Sequence, residues 1–417
     1  MSKLNRGKIS IAEKVSSYER RNFVKGAAAG WLFLNSIPHN ALASISNNKI
    51  KHKKLVWIFL RGALDSLHTV MPVADPNFEK LRANIITPIK DKLLNLDGQY
   101  ALHPNLPFLH ELYKNKQMSP VIAVASGYRE RSHFEAQDQM ESGLNKTEHE
   151  NGWLARAVNQ IQGNGLAISR SVPIALRQNN SHNIGERVET WYPSRFPEAD
   201  EDVLNRLFSL YKNDEALNQN LEKVIAQKQN PNMQMEEKQR TNFTYLAEKC
   251  GELLAKNENT QCAMLEFGGW DTHNNQQGRL SRLFMQLDNG IHKLKTSMGS
   301  AWEDTLVVVS TEFGRTVALN GTNGTDHGTG TNMFLIGGAL AKFSNKHEMK
   351  TKQGFKSVVT GGYVMGKWPG LAKNQLFEDR DLMPTSDVRE WIALALAQHW
   401  QLNSRQISSI FPDLVVL

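Results

Sequence analysis

The sequence has few cysteines and no long apolar run. Cys250 and Cys262 are the only cysteines in 417 residues, few for a chain that leaves the cytoplasm. We expect two packed thiols, Cys250 on a helix and Cys262 on a buried strand, with an oxidised pair as the alternative. No run of about 20 apolar residues occurs, so the sequence predicts no stable membrane span.

Acidic and basic residues are close to balanced outside the N-terminus. The formal net charge is +7, but residues 1–43 hold seven basic and two acidic residues, which leaves 42 basic against 40 acidic in the rest. A balance of this kind gives no support for a nucleic-acid partner. With 40% apolar and 22% charged residues, the composition is ordinary for a globular protein.

The N-terminus has the order of an export signal. Arg20 and Arg21 precede the apolar stretch 26–34, and the small-x-small pattern of residues 41–43 follows. The apolar stretch is too short for a comfortable membrane span, and the paired arginines resemble a twin-arginine signal. We predict a signal peptide over 1–43, a polar tether over 44–54, the twin-arginine machinery as partner, and a periplasmic or cell-envelope location. A basic amphipathic helix and an uncleaved anchor are the alternatives.

Beyond the tether, short apolar runs alternate with loops and helical patterns. Strands are predicted at 55–60, 121–126, 262–267 and 305–310, and helices at 105–115, 134–142 and 385–396. This order predicts a mixed or parallel α/β sheet over 55–417. Polar residues with leucines at helical spacing predict a helical excursion over about 197–259.

Carboxylates and imidazoles follow the predicted strands. Ligands bind at the carboxyl ends of strands in such sheets, so these side chains are expected to converge. Oxygen and imidazole groups gathered in one place suit a divalent metal. The candidate ligands are Asp65, Asp271, His273, Glu312, Asp326 and His327. The structural alternatives are a loop-stabilising Asp65, a Glu312–Arg315 ion pair and a flexible surface loop at 325–330.

Ser132 stands at the predicted N-terminus of the helix over 134–142. Arg129, Arg131 and His133 flank it, and arginines beside a helix N-terminus favour an oxyanion. A serine there, near a metal, is a candidate nucleophile for a phosphoryl or sulfuryl centre. The alternative is a simple N-cap, for which serine is well suited.

Six segments together resemble a family of exported bacterial proteins catalogued as domain of unknown function 1501. They are 61–65, 128–134, 270–273, 311–316, 325–328 and 368–371. That family is similar to the alkaline phosphatase and sulfatase superfamily, which implies a mixed, mostly parallel sheet sandwiched by helices. The resemblance implies that Asp65 is the first metal ligand, Ser132 the nucleophile, Asp271 with His273 the middle ligands and His327 the late histidine. Glu312-Phe313 stands where those enzymes have an Asp-His pair.

We therefore predict an exported, metal-dependent hydrolase of small phosphate or sulfate esters. Zinc is the favoured metal, with magnesium, manganese and calcium as alternatives, and Arg129 and Arg131 are expected to neutralise the departing charge. The rival hypothesis is a non-catalytic binding or envelope-assembly protein on the same scaffold.

Overall fold

An eight-stranded sheet organises the chain. The computed structural model describes residues 52–178, 188–193, 217, 241–343, 349–350, 356–357 and 359–414. The sheet has the strand order β13-β5-β10-β9-β1-β8-β6-β7. Its strands are β1 (Lys54–Leu60), β5 (Met118–Ala125), β6 (Asn164–Ile168), β7 (Val188–Thr190), β8 (Thr260–Phe267), β9 (Thr305–Thr311), β10 (Thr331–Ile336) and β13 (Ser386–Asp387).

Two smaller sheets lie apart from the main one. The first has the order β2-β4-β3 and the second pairs β11 with β12. Their strands are β2 (Val70–Met71), β3 (Leu94–Asn95), β4 (Ala101–Leu102), β11 (Met349–Lys350) and β12 (Lys356–Ser357).

The helices fall between the strands. They are α1 (Ser66–Thr69), α2 (Phe78–Ile86), α3 (Pro107–Lys114), α4 (His133–Ser142), α5 (Trp153–Gln160), α6 (Phe243–Lys256), α7 (Gln276–Met298), α8 (Val388–Trp400) and α9 (Ser404–Ile410). Short 3-10 segments lie at Thr87–Lys92, Ile174–Leu176, Gly299–Asp304, Gly338–Lys342 and Lys373–Gln375. Asp387 caps α8 by accepting a hydrogen bond from the Arg389 amide, so the prediction of a Ser or Asp cap is confirmed.

The central strands are parallel and one neighbour is reversed. β1 pairs in parallel with β8 and β9, whereas β10 runs antiparallel to β5 and β9. Every residue of β1 and β9 is buried, as expected for strands covered on both faces. The prediction of a mixed, mostly parallel sheet is confirmed.

Each face of the sheet packs against helices. On one face, Val56 and Ile58 join the core side chains of α3, α6 and α7. On the other, the Trp57 ring lies 5.1 Å from the ring of Trp153 on α5. The alternation follows from the two-residue period of a strand, which sends successive side chains to opposite faces.

Both cysteines are free and buried, so the prediction of two packed thiols is confirmed. Cys250 lies on α6 and Cys262 on β8. No helix among the described residues is both long and apolar enough to cross a membrane. The predicted leader over 1–43 and most of the predicted excursion over 197–259 lie outside the described residues.

Candidate metal centre

The register of the central strands brings the predicted loops to one edge of the sheet. Leu60, the last residue of β1, is paired with Phe267 on β8 and with Thr311 on β9. The three strands therefore end together, and the segments that follow them share one end of the sheet. Asp271 follows β8 and Glu312 follows β9 at this edge.

Three histidines and one aspartate meet there. His133, Asp271 and His327 offer ligand atoms that all lie within 4.8 Å of one another. The Nε2 atom of His327 lies 3.0 Å from Nε2 of His133 and 3.1 Å from Nε2 of His273. Oδ1 of Asp271 lies 2.9 Å from Nε2 of His273 and 3.2 Å from Nε2 of His327. We call these four residues the histidine cluster.

Each imidazole of the cluster has an oxygen behind its Nδ1 atom. The pairs are His133 with Oε1 of Glu312 (2.7 Å), His273 with Oδ1 of Asp326 (3.2 Å) and His327 with the backbone carbonyl of Arg131 (3.0 Å). Carbonyl and ionised carboxylate oxygens only accept hydrogen bonds, so each Nδ1 donates. A neutral imidazole in this tautomer directs the lone pair of Nε2 into the cluster, which is how metal-binding histidines are oriented.

Glu312 holds His133 from behind and is fully buried. Its Oε1 also accepts hydrogen bonds from the Gly62 amide (2.8 Å) and from Nε2 of Gln137 (2.9 Å), and its Oε2 accepts one from the Thr311 hydroxyl (2.8 Å). Burial alone would raise the pKa of Glu312, but the hydrogen bonds donated by His133, Gln137 and Thr311 hold it below its ordinary value. Glu312 is thus an ionised group that orients a histidine.

Arg315 supports Asp271 in a similar way. Its buried guanidinium donates to Oδ1 of Asp271 at 2.5 Å and to the hydroxyl of Thr325 at 3.1 Å. Burial opposes ionisation of Asp271, yet the hydrogen bond and charge of Arg315 lower its pKa. The alternative of a Glu312–Arg315 ion pair is therefore wrong. The sequence analysis missed Arg315 as a site residue, although its place four residues after β9 could have indicated it.

Asp65 lies apart from the cluster in its hydrogen bonds. Its carboxylate is buried and forms a two-pronged ion pair with the buried Arg82, at 2.6 and 3.1 Å. The remaining donors are the Leu67 amide (3.0 Å) and the side chain of Gln276. The structure gives Asp65 a built-in cation and does not bring it into contact with the histidines.

Ser132 precedes His133 at the start of α4. The backbone of Ser132 is extended, with φ −89° and ψ 123°, and its side chain makes no capping hydrogen bond. The simple N-cap alternative is therefore not the role of this hydroxyl. Arg131, the preceding residue, has φ 59°, a left-handed conformation that is uncommon for a residue other than glycine. This turn directs the carbonyl of Arg131 to the imidazole of His327.

The two arginines beside Ser132 are already engaged. Arg129 donates to the backbone carbonyls of residues 126 and 128. Arg131 donates to Oδ2 of Asp381 from Nε (3.1 Å) and Nη2 (2.9 Å), and it also contacts Glu378. Their predicted role in neutralising a departing anion stays a prediction.

The glycine-rich loop that carries His327 packs closely against the site. A Cβ atom at Gly324 would lie 2.2 Å from the backbone of His273, and one at Gly328 would lie 2.4 Å from the backbone of Arg315. Both contacts are too short for a side chain, so glycine is required for this approach. The loop is thus held against the cluster, which disfavours the flexible-loop alternative.

The fold and the cluster define a class: a mixed α/β protein with imidazole and carboxylate groups at the carboxyl edge of its sheet. The chain belongs to the family described as "Protein of unknown function (DUF1501)", whose sequence profile matches residues 108–343. The resemblance stated above is thereby confirmed. A comparison with curated proteins finds no match.

Solved structures show a weaker similarity. The chain is similar to Ps i-CgsB in complex with k-i-k-neocarrahexaose (TM-score 0.41, 10% identity, 85% of this chain and 73% of that chain covered). It is also similar to the phosphonate monoester hydrolase of Agrobacterium radiobacter (TM-score 0.31, 11% identity, 68% of each chain). A third is a 2-O GAG sulfatase (TM-score 0.34, 9% identity, 68% and 64%). TM-scores of this size carry no functional information, and the family assignment rests on the match in sequence.

Proposed function

We propose that the protein is an exported metal-dependent hydrolase of phosphate or sulfate esters, with the histidine cluster as its metal centre. The observation that supports the proposal is the common orientation of three imidazoles. His133, His273 and His327 each direct Nε2 inward while an oxygen accepts from Nδ1. In a core histidine without a ligand, no physical reason requires this arrangement three times around one point.

The donor set favours zinc. Three imidazole nitrogens and the carboxylate of Asp271 match the nitrogen and oxygen ligands and the coordination number that zinc prefers. Magnesium and calcium prefer sites built from oxygen atoms. When bound, the metal would supply Lewis acidity to an ester oxygen.

The residues of the chain would then divide the remaining work. His133, His273, His327 and Asp271 hold the metal, and the hydrogen bond to Glu312 fixes the tautomer of His133. Ser132, one residue from His133 and free of a capping bond, is the proposed nucleophile. Its position before the first turn of α4 also exposes an anionic group to the free amides of the helix.

Metal content tests the centre directly. Protein purified from its own host is expected to contain about one zinc per chain. His327→Ala and Asp271→Asn are expected to remove most of it, because each deletes a ligand. His149→Ala is the matched control, since His149 is an exposed histidine outside the cluster. Equal metal content in His327→Ala and wild type would overturn the proposed centre.

Turnover tests the reaction. We expect zinc-loaded protein to hydrolyse members of a panel of phosphate and sulfate esters, and Ser132→Ala to lower kcat by about a hundredfold or more, with zinc retained. Zinc binding without turnover of any ester would favour the non-catalytic alternative. Full activity in Ser132→Ala would remove Ser132 from the mechanism while leaving the metal centre intact.

A further inference from the structure

A second feature adjoins the histidine cluster: a cavity of about 560 Å³ between α2, the segment after β9 and the segment around residues 371–380. Its volume lies within the range typical of small-molecule sites. The lining is largely aliphatic, with Leu81, Val317, Leu319, Leu371 and Leu376.

The cavity is continuous with the cluster through two residues. Asp326 lines the cavity and accepts a hydrogen bond from Nδ1 of His273 at 3.2 Å. Arg380 lines it too and donates to the backbone carbonyl of His327 at 2.7 Å. A molecule with one end at the cluster can therefore extend into this cavity without crossing another part of the protein.

The charges around the cavity suit an anion. Lys80 and Lys373 are exposed lining residues, and neither forms an ion pair within the described part of the chain. Together with Arg380 they oppose the carboxylates of Asp326 and Asp379. Their positive charge draws an anionic amphiphile towards the cavity, whose floor offers it an apolar surface.

A second cavity, of about 700 Å³, is a poorer match. It lies past the carboxyl ends of β6 and β8 and is lined mostly by polar groups, including Arg61 and the carboxylates of Glu141 and Glu266. Arg61 is already bonded to Glu141 at 2.6 Å and to Glu266 at 2.8 Å. Its charge is thus neutralised within the protein, which leaves this cavity without a free cation from Arg61.

We infer that the aliphatic cavity receives the alcohol part of the substrate, so that the substrate class is phosphate or sulfate esters of apolar alcohols. The inference rests on the proposed function and adds a specificity site to it. The ester group lies at the histidine cluster, and the hydrocarbon part leaves water against the leucines. Each buried methylene strengthens binding about fourfold until the cavity is filled.

A chain-length series tests the inference. Wild-type kcat/KM is expected to rise at least about tenfold from ethyl to hexyl esters. Ala318→Trp, which fills the cavity from its rim, is expected to lower the hexyl-to-ethyl ratio about tenfold. Ala83→Trp is the matched control, because Ala83 is an exposed alanine of α2 that does not line the cavity. A ratio near one in wild type, or an unchanged ratio in Ala318→Trp, would overturn the inference.

Binding separates this inference from the proposed function. Hexylphosphonate, which cannot be hydrolysed, is expected to bind more tightly than ethylphosphonate, and Ala318→Trp is expected to abolish the difference. If no ester turns over but this difference is observed, the hydrolase proposal falls and the cavity assignment stands. Equal binding of the two phosphonates overturns the cavity assignment.

The source of the apolar alcohol is resolved by the form of the substrate. Hydrolysis of phosphatidic acid in phosphatidylcholine vesicles, alongside hexyl phosphate, identifies a membrane lipid. Hydrolysis of hexyl phosphate alone identifies a free amphiphile. Either result supports the substrate class.

Discussion

Two carboxylate centres lie in this protein, and they differ in where the positive charge comes from. At Asp65 both carboxylate oxygens accept from Arg82, and the Leu67 amide and Gln276 add further hydrogen bonds. At Asp271, Arg315 donates to Oδ1 alone. The first centre is complete within the protein, whereas the second leaves Oδ2 and three imidazole lone pairs facing one another.

Burial separates the two centres as well. The side chains of Asp65 and Arg82 are 1% and 0% exposed, whereas that of Asp271 is 41% exposed. A buried carboxylate must be paired because an isolated ion in a low dielectric is costly. A half-exposed carboxylate beside neutral imidazoles can exchange its ligands with the solvent. The comparison teaches that an aspartate after a strand becomes a structural ion pair or a ligand according to its neighbours.

The largest expected effect is the loss of the cation from the buried centre. Arg82→Ala leaves Asp65 buried and unpaired, and we expect the free energy of unfolding to fall by about 3–5 kcal/mol. Urea unfolding measures it. Asp65→Asn with Arg82 intact serves as the companion variant, since it leaves the opposite charge unpaired. A loss below about 1 kcal/mol in Arg82→Ala would contradict the comparison.

Acid should act on the buried centre next. Burial lowers the pKa of His68 to about 4 and that of His103 to about 3. The unfolded chain binds these protons near pH 6.5, so stability is fully present above that pH and is lost as pH falls towards 4. We expect His68→Phe to flatten this loss by about 2 kcal/mol.

The measurement is the urea midpoint between pH 7 and pH 4.5. His149→Phe, at an exposed histidine, is the control and should keep the wild-type dependence. A His68→Phe variant whose stability falls with acid as steeply as that of wild type would show that His68 does not titrate as the burial implies.

The orienting carboxylate at the cluster sharpens the comparison from the other side. Glu312→Gln keeps the shape of the side chain but removes the charge that fixes His133, and we expect zinc affinity to fall about 10–100-fold. Competition with a chelator measures it, and Glu130→Gln, an exposed glutamate nearby, is the control. Unchanged affinity would mean that Glu312 does not orient a ligand.

A surface ion pair sets the lower end of the scale. Lys90 and Glu79 lie 2.7 Å apart with side chains that are 54% and 60% exposed. Glu79→Gln is expected to change the free energy of unfolding by no more than about 0.5 kcal/mol, because solvent screens the pair. An effect as large as that of Arg82→Ala would mean that burial is not what separates the ion pairs.

Much of the fold could be predicted because its signals are local. The apolar runs at 55–60 and 305–310 predicted β1 and β9 to within a residue. The pattern at 134–142 predicted α4, which begins at His133. These elements follow from residues a few positions apart, whose spacing decides which face is apolar.

The partners within the site could not be predicted. Arg82 is 17 residues from Asp65 and carries no signal of its own on an ordinary amphipathic helix. Similarly, Glu312 was predicted as a ligand, and its contact with His133, 179 residues away, gives it an orienting position instead. Both assignments depend on distances in space between segments that are remote in the chain.

The sequence by itself determined the strands, the helices around them and the edge at which acids and imidazoles would gather, since periodicity and strand direction are written locally. Only the tertiary structure decided which acid faces an arginine, which faces a histidine and which remains open to a metal. The reason is that hydrogen bonds and burial depend on three-dimensional proximity, and the residues that impose them arrive from distant parts of the chain.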